Sequence, residues 1–215
     1  MARTNGPMME TLESRTLLSA ATLATDEKLL AAALVQFREH QKNARAEIAA
    51  ARALVLKDPP VHDPVLPSLT SKLQQDKHNR DNTFFADQHA LHVAEHAARL
   101  LVWADLGHIK QDQSTHNATQ LTTDSASLRT HRLALAQTIH DKSLIIEADL
   151  STTAQTLKAD RQAIIDEIDS FSNGLISTTN LSTYATAIQT AATKRFTDMK
   201  IIIEARLTVA KDKFG

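Results

Sequence analysis

Cysteine is missing from this chain of 215 residues, which excludes disulfides, thiolate metal sites and cysteine nucleophiles. Turn-formers are scarce, with four glycines and five prolines, and aromatic residues make up 4% of the chain. So few turns argue against a sheet-rich fold, in which many short strands need many Gly- and Pro-containing connections. No run of 18 apolar residues occurs, so the sequence predicts no transmembrane helix. Charge is also nearly balanced: 24 Lys and Arg against 25 Asp and Glu leave a formal net charge of -1. No basic cluster marks the chain for nucleic acid, and nucleic-acid binding is not expected. Apolar residues reach 42%, close to a globular average, and the chain is long enough to bury a core without staples.

Helical periodicity carries most of the remaining signal. A first helix is predicted from Thr25 or Asp26 to about Lys57, with heptad positions Leu30, Leu34, Phe37, Gln41, Ala44, Ile48, Ala51 and Val55. Only Gln41 among them is polar. "DPPVHDPVLP" (58–67) holds four prolines in ten residues and ends that helix. Ser68 to Gln75 can begin a second, but "QQDKHNRDNT" (74–83) has no apolar residue and reads as solvated helix or a break. From Phe84 an apolar stripe runs through Ala86, Ala90, Val93, Ala97, Leu100 and Ala104, and Gly107 is placed to close the helix. The polar stretch 110–127 reads as a connection. Helices are then predicted over roughly Ser125–Ser172 and Asn180–Lys213, with "SNG" (172–174) as the turn between them.

The last two helices share an eleven-residue repeat. Stepping 0, 4, 7, 11 from Leu181 meets Leu181, Ala185, Ile188, Ala192, Phe196, Met199, Ile203, Leu207, Ala210 and Phe214, all apolar. At 42% apolar content such a run is about a one-in-six-thousand accident per phase. The same rule in the preceding helix picks Leu128, Leu135, Ile139, Ile146, Leu150, Ala154, Leu157, Ile165 and Ile168, interrupted by Arg132, Ser143 and Arg161. An eleven-residue period corresponds to about 3.67 residues per turn and lets helices pair nearly straight. The expected fold is therefore all-α: an elongated antiparallel helical bundle with coiled-coil-like hairpins, a single domain over 26–215 behind a largely disordered segment, 1–25.

That first segment contains "LESRTLLSA", residues 12–20. Leu12, Glu13, Arg15, Leu17, Leu18, Ser19 and Ala20, with Thr16 at the variable position, resemble the LEPR-XLL motif found near the start of many bacterial surface and secreted proteins. Ser14 stands where that family has proline. The resemblance covers about nine residues and implies a sorting signal, hence the cell envelope or secretion as the destination, with the cytoplasm as the alternative. It implies nothing about the activity of the rest of the chain. Two other readings of the same residues are a backward extension of the first helix and a short secretory signal with Arg3 and Arg15 ahead of "TLLSAATLA".

The histidines pose a separate question. "HALHVAEH" places His89, His92 and His96 on one strip of helix, and "HVAEH" matches the H-x-x-E-H pattern of inverted zinc peptidases, with Glu95 as the residue that would activate water. His92 and His96, four apart, could bite a zinc or nickel ion, and Glu167 is a third ligand by distance along the chain alone. The simpler reading makes these histidines the edge of an apolar seam, with Arg99 near Trp103. No glycine-rich phosphate loop and no G-x-S-x-G occurs. The acids Glu147, Asp149, Asp160, Asp166, Glu167 and Asp169 alternate with Lys142, Lys158 and Arg161 and read as a solvated face. No enzyme, cofactor or metal site is therefore assigned. The sequence points to a non-enzymatic structural or interaction module of the envelope or exterior, with a second copy or another helical protein as partner through apolar seams. Lipid-surface binding through amphipathic helices, with membrane-surface contact, is the first alternative, and a metal-binding or hydrolytic protein the second.

Overall fold

In this computed structural model the backbone of residues 6–58, 60–173 and 177–215 is described, and side chains from residue 20 onward within those ranges. Among the described residues the protein is all-α, an assembly of four helices without strands. They are α1 (Gly6–Val55), α2 (Leu66–Thr115), α3 (Ala118–Ser172) and α4 (Thr179–Phe214).

Each boundary has a local cause. The prolines at 60, 64 and 67 keep the α1–α2 connection open, and buried Asp63 accepts the N–H groups of Val65 (2.5 Å) and Leu66 (3.3 Å) at the start of α2. Pro67, in the first turn, lacks only a donor that would have no helical acceptor. Between α2 and α3, His116 takes a left-handed conformation (φ 56°). The Asn117 N–H then reaches the Asp112 carbonyl (3.0 Å) and the His116 N–H the Gln113 carbonyl (3.4 Å), a Schellman arrangement without glycine. Asn117 Oδ1 in turn accepts the Gln120 N–H and caps α3. After α3, Asn173 is left-handed (φ 48°), in the turn expected at "SNG"; Gly174 lies outside the described residues.

Several helix limits differ from expectation. α1 begins at Gly6 rather than at Thr25, so 12–20 are helical backbone, while the side chains of residues 12–19 lie outside the described residues. α2 runs unbroken through 74–83, supported by i,i+4 bonds from Lys72 to Asp76 (3.0 Å) and from Gln75 to Asn79 (3.2 Å). It also passes Gly107 and stops only at Thr115, so Gly107 is a mid-helix residue and not a cap. The connection expected over 110–127 shrinks accordingly, and α3 begins at Ala118.

Contacts gather the chain into two compact units, each built from parts of all four helices. The first contains residues up to Leu34, Val93–Asp141 and Ile202–Gly215; the second contains Val35–His92 and Lys142–Ile201. In the first unit, α3 and α4 run antiparallel: Arg132 lies over the Phe214 ring at 5.4 Å, and eight residues further along α3 His140 meets Glu204. Its core includes Val102, Leu128, Ile202, Ile203, Leu207 and Ala210. The second unit buries Ala51, Ile146, Leu157, Ile165 and Ile168.

Every α4 seam residue from Leu181 to Phe214 is buried or half-buried, as are the α3 seam residues and the eight heptad positions of α1. The α2 stripe is the correction. Ala86, Ala90, Val93, Ala97, Leu100 and Ala104 are exposed. The inward row is instead Leu69, Leu73, Asp76, Arg80, Phe84, Asp87, Leu91, Ala94, Ala98, Val102, Asp105, Ile109 and Asp112. It advances by steps of four and three as a buried helical face must, but five of its members are charged, so the unbroken apolar stripe, on the other side of the helix, is the more conspicuous pattern.

Candidate functional site

Asp87, Asp105 and Asp112, inward on α2, each face an ionisable group on α3. In the first unit Asp105, buried, lies 2.6 Å from His131 Nδ1 on α3. Asp112, also buried, faces Asp124 at the start of α3. Burial pushes the Asp112 carboxyl above its ordinary value, and the hydrogen bond its protonated form donates to Asp124 and the like charge of Asp124 push the same way, opposed by His108. Asp112 Oδ2 is buried without a hydrogen-bond partner among the described residues. Asp26 and Asp212 repeat the arrangement between α1 and α4: the hydrogen bond that a protonated Asp26 donates to Asp212 raises Asp26 most, then burial and the Asp212 charge. His140, between Asp141 (2.9 Å) and Glu204 (3.3 Å), is held above its ordinary value, chiefly by Asp141. Its Nε2 is within ion-pair distance of Glu204 but not aligned for a hydrogen bond.

In the second unit Asp87 is raised by burial first and by Asp149 second, with Lys142 opposing. Lys72 reaches both Asp76 and buried Asp160, and this holds the Lys72 amine above its usual range. Asp149 and Asp160, expected on a solvated face, thus point inward, whereas Asp166 and Asp169 are exposed as expected. His40 and Asp198 pair at 2.8 Å across α1 and α4, and Asn180 donates to Asp58 at 2.7 Å.

The second unit also encloses a cleft of about 530 Å³, to which all four helices contribute. That volume falls within the range of small-molecule sites, roughly 300–1,000 Å³. Its apolar wall includes Ile48, Phe84, Leu150, Leu157, Ile188 and Phe196. Alanines at Ala44, Ala154, Ala191 and Ala192 leave the space that larger seam residues would fill. Five cations line it: Arg45 from α1, Arg80 from α2, Arg161 from α3, and Lys194 and Arg195 from α4. Among the described residues one carboxylate lines the cleft, Asp81, and it is held by Arg80 through bonds of 2.9 and 2.6 Å. Among the described residues, Arg45, Arg161, Lys194 and Arg195 form no ion pair within 4 Å. Burial holds the half-buried Arg161 below its ordinary value; the Arg80 charge adds to this, while Tyr184 and Asp160 oppose it.

No clustering in sequence betrays these five cations, because each helix supplies one or two. A fainter signal exists in the seams: Gln41 is the polar member of the α1 heptads, Arg161 interrupts the α3 repeat, and both line the cleft. The histidines do not join it. His89, His92 and His96 are exposed on α2, and Glu167 is half-buried on α3. His96 packs edge-on against Trp103 (6.4 Å), while Arg99 pairs with Glu95 (2.5 Å) and not with Trp103. Among the described residues no three His, Asp or Glu gather as a metal ion would require. The sorting-motif residues Leu12, Glu13, Arg15, Leu17, Leu18 and Ser19 have side chains outside the described set, and Ala20 is exposed. Also among the described residues, no helix is long and apolar enough to cross a membrane.

Comparison with protein-family models, with curated proteins and with solved structures finds no match to this chain.

Proposed function

We propose that this chain is a non-enzymatic structural or interaction module of the bacterial cell envelope or exterior, working through helix–helix packing. One observation carries the reading. The strongest pattern in the sequence, the unbroken apolar seam of α4, is spent entirely on packing, with all ten residues buried or half-buried. Because the seams of α1, α3 and α4 are covered within the chain, a second copy or another helical protein meets the outer surface instead. The destination rests on the LEPR-XLL-like residues Leu12 to Ala20. Fusing residues 1–25 to a bacterial reporter tests it: the fusion is expected in envelope or medium fractions, and Arg15→Glu with Leu17→Asp should return it to the cytoplasm. A fusion that stays cytoplasmic with residues 1–25 intact contradicts the envelope reading.

A second reading, binding to lipid surfaces, is favoured by the outer face of α2 in the first unit. There Val93 (56%), Leu100 (50%), Leu101 (51%) and Trp103 (55%) remain exposed. Trp103 is the sole tryptophan, so a blue shift of its emission on adding vesicles, together with flotation, supports this reading. Unchanged emission and no flotation remove it.

A further inference from the structure

We propose that the cleft of the second unit binds a free single-chain amphipathic anion, of the kind represented by a long-chain carboxylate. A helix that packs through an apolar repeat loses stability at each charged inward position, unless something compensates that charge. Gln41, Arg80 and Arg161 are inward polar positions on three different helices, and all three face the same space. Elsewhere in this protein several inward charges meet an opposite one: Asp105 meets His131, Asp198 meets His40, and Asp160 meets Lys72. Among the described residues Arg161, half-buried in the cleft wall, has no ion pair within 4 Å. Five cations and one carboxylate leave four positive charges in the lining, although the chain as a whole carries -1.

The wall decides what kind of anion fits. An inorganic anion would gain nothing from Phe84, Leu150, Leu157 and Phe196, and a neutral lipid nothing from the guanidinium groups. A molecule with one anionic end and an apolar tail satisfies both, because burying its chain adds the hydrophobic term while its head receives charge-assisted hydrogen bonds from arginine. Half-burial of Arg161 raises the worth of that second contribution, since an anion brought beside it restores what desolvation has removed.

The test is calorimetric titration of the full chain with dodecanoate, 1-dodecanol and acetate, each below any aggregation threshold. Dodecanoate is expected to bind at micromolar concentration, dodecanol about tenfold more weakly or worse, and acetate not measurably. Arg161→Met should weaken dodecanoate by about tenfold and leave dodecanol unchanged. Lys194→Gln with Arg195→Gln, at exposed positions where folding is not at risk, should weaken dodecanoate in the same selective way. Ala154→Phe, which fills the cleft, should abolish binding of both. Equal binding of dodecanol and dodecanoate overturns the proposal, and so does dodecanoate affinity unchanged in both charge variants. Failure of dodecanoate to bind below millimolar does the same, including when vesicles of phosphatidylglycerol bind instead.

Discussion

Asp112 illustrates how much of this bundle turns on single carboxyl groups. Its value in the folded chain lies above that of an unfolded aspartate because it is buried against Asp124. A raised carboxyl contributes stability that is fully present below the unfolded value, near 3.9, and is lost as pH rises through the folded value. At neutral pH the pair therefore works against folding, and the negative end of α2 adds to the effect because Asp112 lies in its last turn. Asp112→Asn keeps the shape and supplies an amide donor to Asp124. The variant should melt above the parent at pH 7, and this advantage should disappear near pH 4; equal melting at both pH values would show that the pair is not strained. None of these pairings is legible in the sequence, because partners such as Asp105 and His131 are set by the packing of two helices and not by any local spacing.

At the level of the helix, the seams of α1, α3 and α4 could be read directly, because a repeat of apolar residues on a face is itself the face that packs. α2 could not. With Asp76, Arg80, Asp87, Asp105 and Asp112 interrupting its inward row and Val93, Leu100 and Trp103 turned outward, its unbroken apolar stripe lies on the side away from the core. Its end was hidden for a related reason: the turn residue is His116, which adopts a left-handed backbone without being glycine, while the visible glycine, Gly107, lies inside the helix. These two assignments predict opposite signs for one substitution. As a mid-helix residue whose added Cβ would meet nothing within 4 Å, Gly107 replaced by Ala should stabilise the protein by about 0.5–1 kcal/mol. As a left-handed cap it would be destabilised by the same change, and a lower melting temperature for Gly107→Ala would restore the shorter helix.

For the molecule as a whole, composition already indicated an all-helical chain, since few turn-formers and a long eleven-residue repeat leave little else. The cleft was the least visible feature, being assembled from single cations on four helices that lie far apart in sequence. Helix seams, and not apolar content as such, define the interior. Thermal melting of two variants in the first unit distinguishes the two. Ile203, on the α4 seam, is 7% exposed, whereas Leu100, on the outer face of α2, is 50% exposed. Ile203→Asp buries an unpaired carboxylate and is expected to cost several kcal/mol, enough to unfold a domain of ordinary stability, on the order of 5–15 kcal/mol, or to leave it barely folded. Leu100→Asp should shift stability by about 0.5 kcal/mol or less. If Ile203→Asp melts like the parent, or Leu100→Asp unfolds the chain, the interior described here is wrong.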